Sequence, residues 1–407
     1  MSGSQQRAGV SERLASLDVD SVFVYVGDAV RLDDTPQLVT DRGVTLNTVA
    51  ASTHSPTSFA SLVTGRHPPG HGVEFFQHSI DGSVFRLFDL DDVETLFVNS
   101  VSDGAGNDPI FDVLGVDPVH NVDPLECVSE PFAVMERGPG GHAPYGDYDG
   151  TAKEYFGDRG HLSDAEIRAE YETALTADAE LFERRLETLR EFGRLEDTLV
   201  VYTSDHGELL GEGGGVGHNF PMRPELVYVP TVFVHPELQS ECSEVLMRHV
   251  DLLPTVLSAL GRTDAARSLD GQAIQNRDRD RPDPPGLTFY DRSYPTRRLP
   301  GLSGTLSYRG AWDGSGGHVY AESSLADRLA VYASKLAAGA KSSFLRRRPV
   351  VALRSFLRGD HTYGSPSFDR DHGEELLETA ESESRSTSRR DLSEAQRQQL
   401  RDLGYVE

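Results

Sequence analysis

The hydrophobic and polar positions of this chain fall into two periods. Short apolar runs rich in β-branched and aromatic residues, such as Val22-Phe23-Val24-Tyr25-Val26 and Leu199-Val200-Val201-Tyr202, predict strands buried on both faces. From residue 21 to about 260 such runs alternate with helical patterns, as expected of a mostly parallel sheet covered on both sides. The clearest helix begins at Ser163. There Ser163-Asp164-Ala165-Glu166 forms a capping box, and Ile167, Tyr171, Ala174, Leu175, Leu181, Leu186, Leu189 and Phe192 carry an apolar stripe up to Gly193. This helix delivers the chain into the strand that ends at Asp205 and His206.

After Gly261 the composition shifts. Residues 1–20 read as a polar N-terminal segment, 21–275 as the α/β domain, and 276–285 as a charged, proline-containing linker. Residues 286–372 carry short strand-like runs, Leu287-Thr288-Phe289-Tyr290 and Gly317-His318-Val319-Tyr320, which predict a small antiparallel subdomain. Residues 373–407 read as a charged tail, Ser- and Glu-rich and flexible over 374–390, ending in a short helix.

Composition narrows the function. With 407 residues, 37% of them hydrophobic, the chain can bury one large core and a smaller one. The net charge of −26 comes from 65 acidic against 39 basic residues, and the only lysines are Lys153, Lys335 and Lys341. An acidic, lysine-poor surface is typical of proteins from salt-loving archaea, so a halophilic protein is expected. It argues against nucleic-acid binding, which needs cations to neutralise phosphates. Cys127 and Cys242 have no metal spacing and are too few for a disulfide framework, and both read as buried apolar fillers. Residues 1–14 lack an apolar signal core and no run approaches the roughly 18 apolar residues of a membrane span, so a cytoplasmic location is expected. Residues 325–358 reverse the charge, with Asp327 their single acid. A basic amphipathic helix touching an anionic membrane surface is one reading, and packing on the acidic body of the same chain is preferred.

The candidate chemistry sits at strand ends. Asp28 follows one buried run, and Asp205-His206 follows another. In open α/β sheets, ligands gather at the carboxyl ends of the strands, so these residues can meet despite their separation. The segment Ser55-Pro56-Thr57-Ser58, leading to Thr64-Gly65-Arg66, adds small hydroxyls. A hydroxyl nucleophile beside hard metal ligands is implied.

Taken together these motifs resemble the alkaline phosphatase superfamily, and within it the sulfatases and phosphonate monoester hydrolases. The pieces lie in family order at residues 26–31, 35–38, 55–65, 71–73, 142–145, 203–208, 217–219 and 250–255, and residues 400–406 look like the common sulfatase terminus. The resemblance implies a three-layer α/β sandwich with a mostly parallel central sheet, plus a small C-terminal α+β subdomain. It places Ser55 where sulfatases carry the cysteine that becomes formylglycine, with Thr57 and Ser58 in reserve. The alternative role of Ser55 is to cap the following helix. It further implies that Asp28, Ser55, Asp205 and His206 hold one divalent cation, Ca, Mg or Mn, with the imidazole leaning toward Mn or Zn. His218 would bind an ester oxygen or protonate the leaving group, and His142 would be a second such group. The glycine-rich residues 211–217 are either a mobile loop over the site or a surface turn, and His71 reads as structural.

Three departures matter. Sulfatases usually carry two adjacent aspartates where this chain has Gly27-Asp28-Ala29, as in the phosphonate monoester hydrolase branch. The arginine expected four residues after the nucleophile is replaced by Phe59, so conversion of Ser55 to formylglycine is not expected and a cation is lost. No Asp-x-x-x-His set for a second metal is present. An unmodified serine favours phosphoryl or phosphonyl esters over sulfate esters. The expected activity is single-metal hydrolysis of a small anionic sulfate or phosphate ester through Ser55. Phosphodiesterase or phosphonate monoester hydrolase activity, and a catalytically impaired anion-binding relative, stand as alternatives.

Overall fold

Strand β1 (Ser21–Gly27) divides its side chains between two cores. Val22, Val24 and Val26 pack with Phe59 and Leu253 on one side, and Phe23 and Tyr25 pack with Phe182 and Leu186 on the other. A period of two in a strand buried on both faces demands layers above and below. In the computed structural model, which describes residues 9–101, 105–278, 281–295, 303–337, 339–385, 387, 389–403 and 405, those layers are helical. The remaining strands of the main sheet are β2 (Val44–Val49), β3 (Glu94–Asn99), β4 (Phe132–Gly138), β5 (Thr198–Ser204), β6 (Tyr228–Val234) and β7 (Glu241–Arg248). They lie in the order β3-β4-β1-β5-β6-β2-β7. Only β6 runs antiparallel to its neighbours, so the fold is the expected three-layer α/β sandwich with a mostly parallel sheet.

A second, antiparallel sheet of β8 (Gly286–Pro295), β9 (Ser303–Asp313), β10 (Gly316–Ala321) and β11 (His361–Gly364) follows, in the order β11-β10-β9-β8. It is joined to the body through Phe289 N–H, which donates to Ala51 O at 2.8 Å, and through a shared core of Leu226, Val227, Tyr308, Trp312 and Phe356.

The long helix Asp164–Glu191 has the expected capping box at Ser163. Its buried stripe differs at the far end. Phe192 is exposed, and Asp178 is buried instead, accepting hydrogen bonds from Tyr25 Oη, Tyr202 Oη and Gly140 N.

Three expectations are corrected. Both cysteines are exposed: Cys127 ends a short surface turn, and Cys242 points outward on the half-exposed end of β7. Residues 370–382 form a helix, whose N-cap Asp369 accepts from His372 N and which buries Leu377, so the Ser- and Glu-rich stretch is helical from 374 to 382. The basic segment is three helices, Leu325–Ala337, Ser342–Arg347 and Pro349–Leu357, the second break falling at Pro349, which must start a new helix rather than continue one. Much of its charge is used on the chain itself: Arg346 donates to Leu336 O and Ala337 O, Arg347 donates to Leu162 O, and Arg348 pairs with Asp164. A short helix does close the tail, Glu394–Asp402. Among the described residues no helix is long and apolar enough to cross a membrane.

Candidate active site

Asp28 is the first residue beyond β1, and Asp205 the first beyond β5. Because Gly27 is paired with Ser204 in the sheet, the two carboxylates emerge side by side. The turn that holds Asp28 is tight. Its N–H donates to Gly138 O, its carbonyl accepts from Gly141 N, and a Cβ on Gly140 would lie 2.0 Å from that carbonyl oxygen. Gly140 has a φ of 55°, so glycine is required there on two counts. Ala29 has a φ of 58°, a left-handed conformation costing about 1–2 kcal/mol for a residue with a Cβ, and its N–H is thereby aimed at Asp205 Oδ1 at 3.0 Å.

Asp28, Asp205 and His206 are fully buried, and each offers a ligand atom within 4.8 Å of the other two. His206 uses Nδ1 to donate to Gly207 O at 2.9 Å, which leaves the Nε2 lone pair facing the carboxylates. Asp28 Oδ1 and Asp205 Oδ2 are buried without any hydrogen-bond partner. Two orphaned buried carboxylate oxygens are costly unless a cation joins them, and with His206 Nε2 alongside the donor set fits one divalent ion. The electrostatics agree. Burial pushes the Asp205 carboxyl up, and the charge of Asp28 pushes it further. His206 resists burial because Asp205 and Asp28 hold its proton, which raises its pKa.

Ser55 is the first residue of the helix Ser55–Thr64. The N-cap is His54, which makes no side-chain cap bond, so Ser55 is not the cap. Its Oγ lies 3.1 Å from His206 Nε2 and 2.9 Å from Tyr405 Oη. Thr57 and Ser58 are engaged elsewhere, donating to Glu74 O and Ser52 O. His218 and His142 join the cluster: ring centroids are 4.4 Å apart for His206 and His218, and 5.8 Å for His142 and His218. His218 Nδ1 contacts Glu208 Oε2 at 3.1 Å, and its Nε2 is buried with no partner. Burial, then the charge of His206, keeps His218 well below the usual imidazole pKa, and burial above all brings His142 to about 4. Burial raises Glu208 to about 7. The structure thus brings together Asp28, Ser55, Asp205, His206, His142 and His218. His71 is apart from them, bonded to Ser61 Oγ and Val73 N. Residues 211–217 form a short turn closed by Gly217 N–H to Leu209 O and packed against the helix Pro349–Leu357.

Two members of the cluster escaped the sequence reading. Arg137, at the end of β4, is fully buried. It donates to Asp28 Oδ2 from Nη2 (2.5 Å) and Nε (3.2 Å), to Asp108 Oδ2 from Nη1 (2.9 Å), and to Tyr405 Oη from Nη2 (2.9 Å). Burial opposes its charge, yet Tyr405 and the neighbouring aspartates hold it charged. Its guanidinium stands 5.6 Å from the ring centre of Phe59, so a cation reaches from β4 the space beside the residue that replaces the motif arginine. The strand-end rule that singled out Asp28 applies equally to Met135-Glu136-Arg137-Gly138 and was the available signal. Tyr405 lies in the terminal motif, but nothing in that motif says where it docks.

The sulfatase family model matches residues 126–262. The chain is 29% identical over 405 residues to the low-salt glycan biosynthesis sulfotransferase Agl7 of Haloferax volcanii, covering 95% of this chain and 96% of that one. Its fold is similar to that of BT1596, a 2-O GAG sulfatase (TM-score 0.60, 12% identity, 89% of this chain and 90% of that one). It is also similar to that of the phosphonate monoester hydrolase of Agrobacterium radiobacter (TM-score 0.56, 14% identity, 83% and 96%). Residues 126–262 thus carry the sulfatase family match, and the chain as a whole shares the fold of sulfatases and phosphonate monoester hydrolases.

Proposed function

We propose that this protein is a metal-dependent esterase that takes a phosphoryl or sulfuryl group from a small anionic ester onto Ser55 and then releases it to water. The observation that carries this reading is the convergence of a buried serine hydroxyl with two unpartnered carboxylate oxygens and the imidazole nitrogen it contacts, His206 Nε2. Asp28, Asp205 and His206 would hold the cation, with Ser55 adjoining it. When bound, the ion offsets charge on the ester and makes the serine hydroxyl more acidic. Arg137 Nη2 is directed at the same space and can bind a non-bridging oxygen. His218 is neutral with its free Nε2 facing inward, so it can take the proton of the second nucleophile while Glu208 steadies the ring at Nδ1. His142, neutral too, has Nδ1 donating to Ala143 O at 2.7 Å, so its Nε2 carries a lone pair that can take the proton Ser55 gives up and return it to the leaving oxygen.

A second reading has its own support. Ser55 is wholly shielded from solvent, and a relative matching nearly the full length is named a sulfotransferase. In a site that excludes water, an alcohol can take the group in its place. The test is release of p-nitrophenol from its phosphate, phosphodiester, phosphonate and sulfate esters with Mn, Mg or Ca, in native protein and Ser55→Ala, with and without an added alcohol. Loss of release in Ser55→Ala supports the serine route, and release that rises with alcohol supports transfer. Equal activity of native protein and Ser55→Ala contradicts both.

A further inference from the structure

The catalytic cluster has almost no room for a substrate. The cavity beside it, lined by His142, Phe156, Glu208, His218, Lys341 and Leu403, holds about 10 Å³, the space of one water. The space next to Ser55 is taken by Tyr405. Its hydroxyl lies 2.9 Å from Ser55 Oγ, 2.9 Å from Arg137 Nη2 and 3.3 Å from Asp28 Oδ2. Its ring stands against Phe76, His142, His218 and His54, with centroids 5.0, 5.2, 5.7 and 6.0 Å away. A buried tyrosine needs one hydrogen-bond partner. This one has three, and they are the candidate nucleophile, the nearest cation and a candidate metal ligand. The segment that carries it is anchored through Leu392, Leu400 and Leu403 in the main core and through Gln396 and Arg390 on Asp112, while Tyr405 itself adds two backbone bonds, its N–H donating to Leu400 O and its carbonyl accepting from Arg292.

We infer that the space filled by the Tyr405 side chain is the subsite for the reacting end of the substrate, an oxyanion ester whose alcohol carries a ring of about phenol size, and that Tyr405 is a resident mimic which withdraws when substrate binds. The hydroxyl marks where an ester oxygen sits, within reach of Arg137, and the aromatic walls mark where the ring sits. This rests on the reading of the cluster as an ester site. It adds that the resting protein is closed, so that measured affinity is lowered by the small fraction of molecules in which Tyr405 is out.

The experiment is calorimetric binding of phenylphosphonate with Mn to the native full-length chain, Tyr405→Ala and Tyr405→Phe, with thermal melting of each. The expected result is binding roughly tenfold or more tighter in Tyr405→Ala, with a smaller gain in Tyr405→Phe, which keeps the ring and loses the hydroxyl. Free p-cresol should compete with the probe in Tyr405→Ala. If Tyr405→Ala does not fold, Tyr405→Phe decides: tighter binding supports the subsite, and equal or weaker binding overturns it. Folded Tyr405→Ala that binds no more tightly than native protein also overturns it. The readout is binding without turnover, so failure of Ser55 as nucleophile leaves this result intact, and the reverse.

Discussion

Asp178 and Asp205 are both fully buried carboxylates whose pKa is raised by burial, yet only Asp205 stands in a group that could hold a metal ion. Asp178 has both oxygens occupied, by Tyr25 and Gly140 on Oδ1 and by Tyr202 on Oδ2. Asp205 has Oδ1 engaged by two backbone N–H groups, and Oδ2 left without a partner beside the equally unpartnered Asp28 Oδ1. Burial and a shifted pKa are therefore poor markers of function in this molecule. The unpaired lone pairs make the difference, since a buried acceptor without a donor is tolerated where something else completes it.

The comparison breaks hardest at Asp205. Asp205→Asn should abolish stoichiometric retention of Mn and lower ester hydrolysis by at least about a thousandfold, equivalent to about 4 kcal/mol, while the metal-free protein melts no lower than native because a repulsive charge is gone. Metal analysis, rate and melting temperature check the three parts. Arg137→Leu should cost about 3–5 kcal/mol in urea unfolding, because it strands Asp28 and Asp108 as uncompensated buried charges.

At Asp178 the effect is smaller and depends on pH. Its folded pKa of about 6 exceeds the ordinary 3.8, so between pH 4 and 6 the folded chain keeps a proton that the unfolded chain has lost. Its contribution to stability falls as pH rises through that window and is flat above it, by no more than about 3 kcal/mol. Asp178→Asn should flatten this part of the urea-midpoint profile and leave metal retention unchanged. Smallest of all, Cys127→Ser and Cys242→Ser should each shift stability by less than about 0.5 kcal/mol, and both thiols should react with a thiol reagent in the folded protein, as their exposure requires.

The sheet was legible because strands buried on both faces write an unbroken apolar run, and Asp28, Asp205 and His206 were legible because they stand directly after such runs. Ser55 needed the family resemblance, since Thr57 and Ser58 are equally small hydroxyls and only the helix geometry points them elsewhere. Arg137 stayed hidden inside a strand whose last residues are charged, where a solvated strand end is the ordinary reading. Tyr405 reaches the site through tertiary docking across 350 residues of sequence from Ser55, which no local pattern encodes. The basic segment differs from its reading in one respect: its pattern suggests a single amphipathic helix, while Pro349 must begin a new one.

The central claim, that Ser55 carries the group between donor and acceptor, is tested most directly by trapping it. Native protein loaded with Mn would be mixed with p-nitrophenyl phosphate, quenched in acid and digested for mass spectrometry. The account predicts a phosphorylated peptide containing Ser55, absent in Ser55→Ala and absent after chelation of the metal. Steady hydrolysis in Ser55→Ala, or turnover by native protein with the label on another residue, would contradict it.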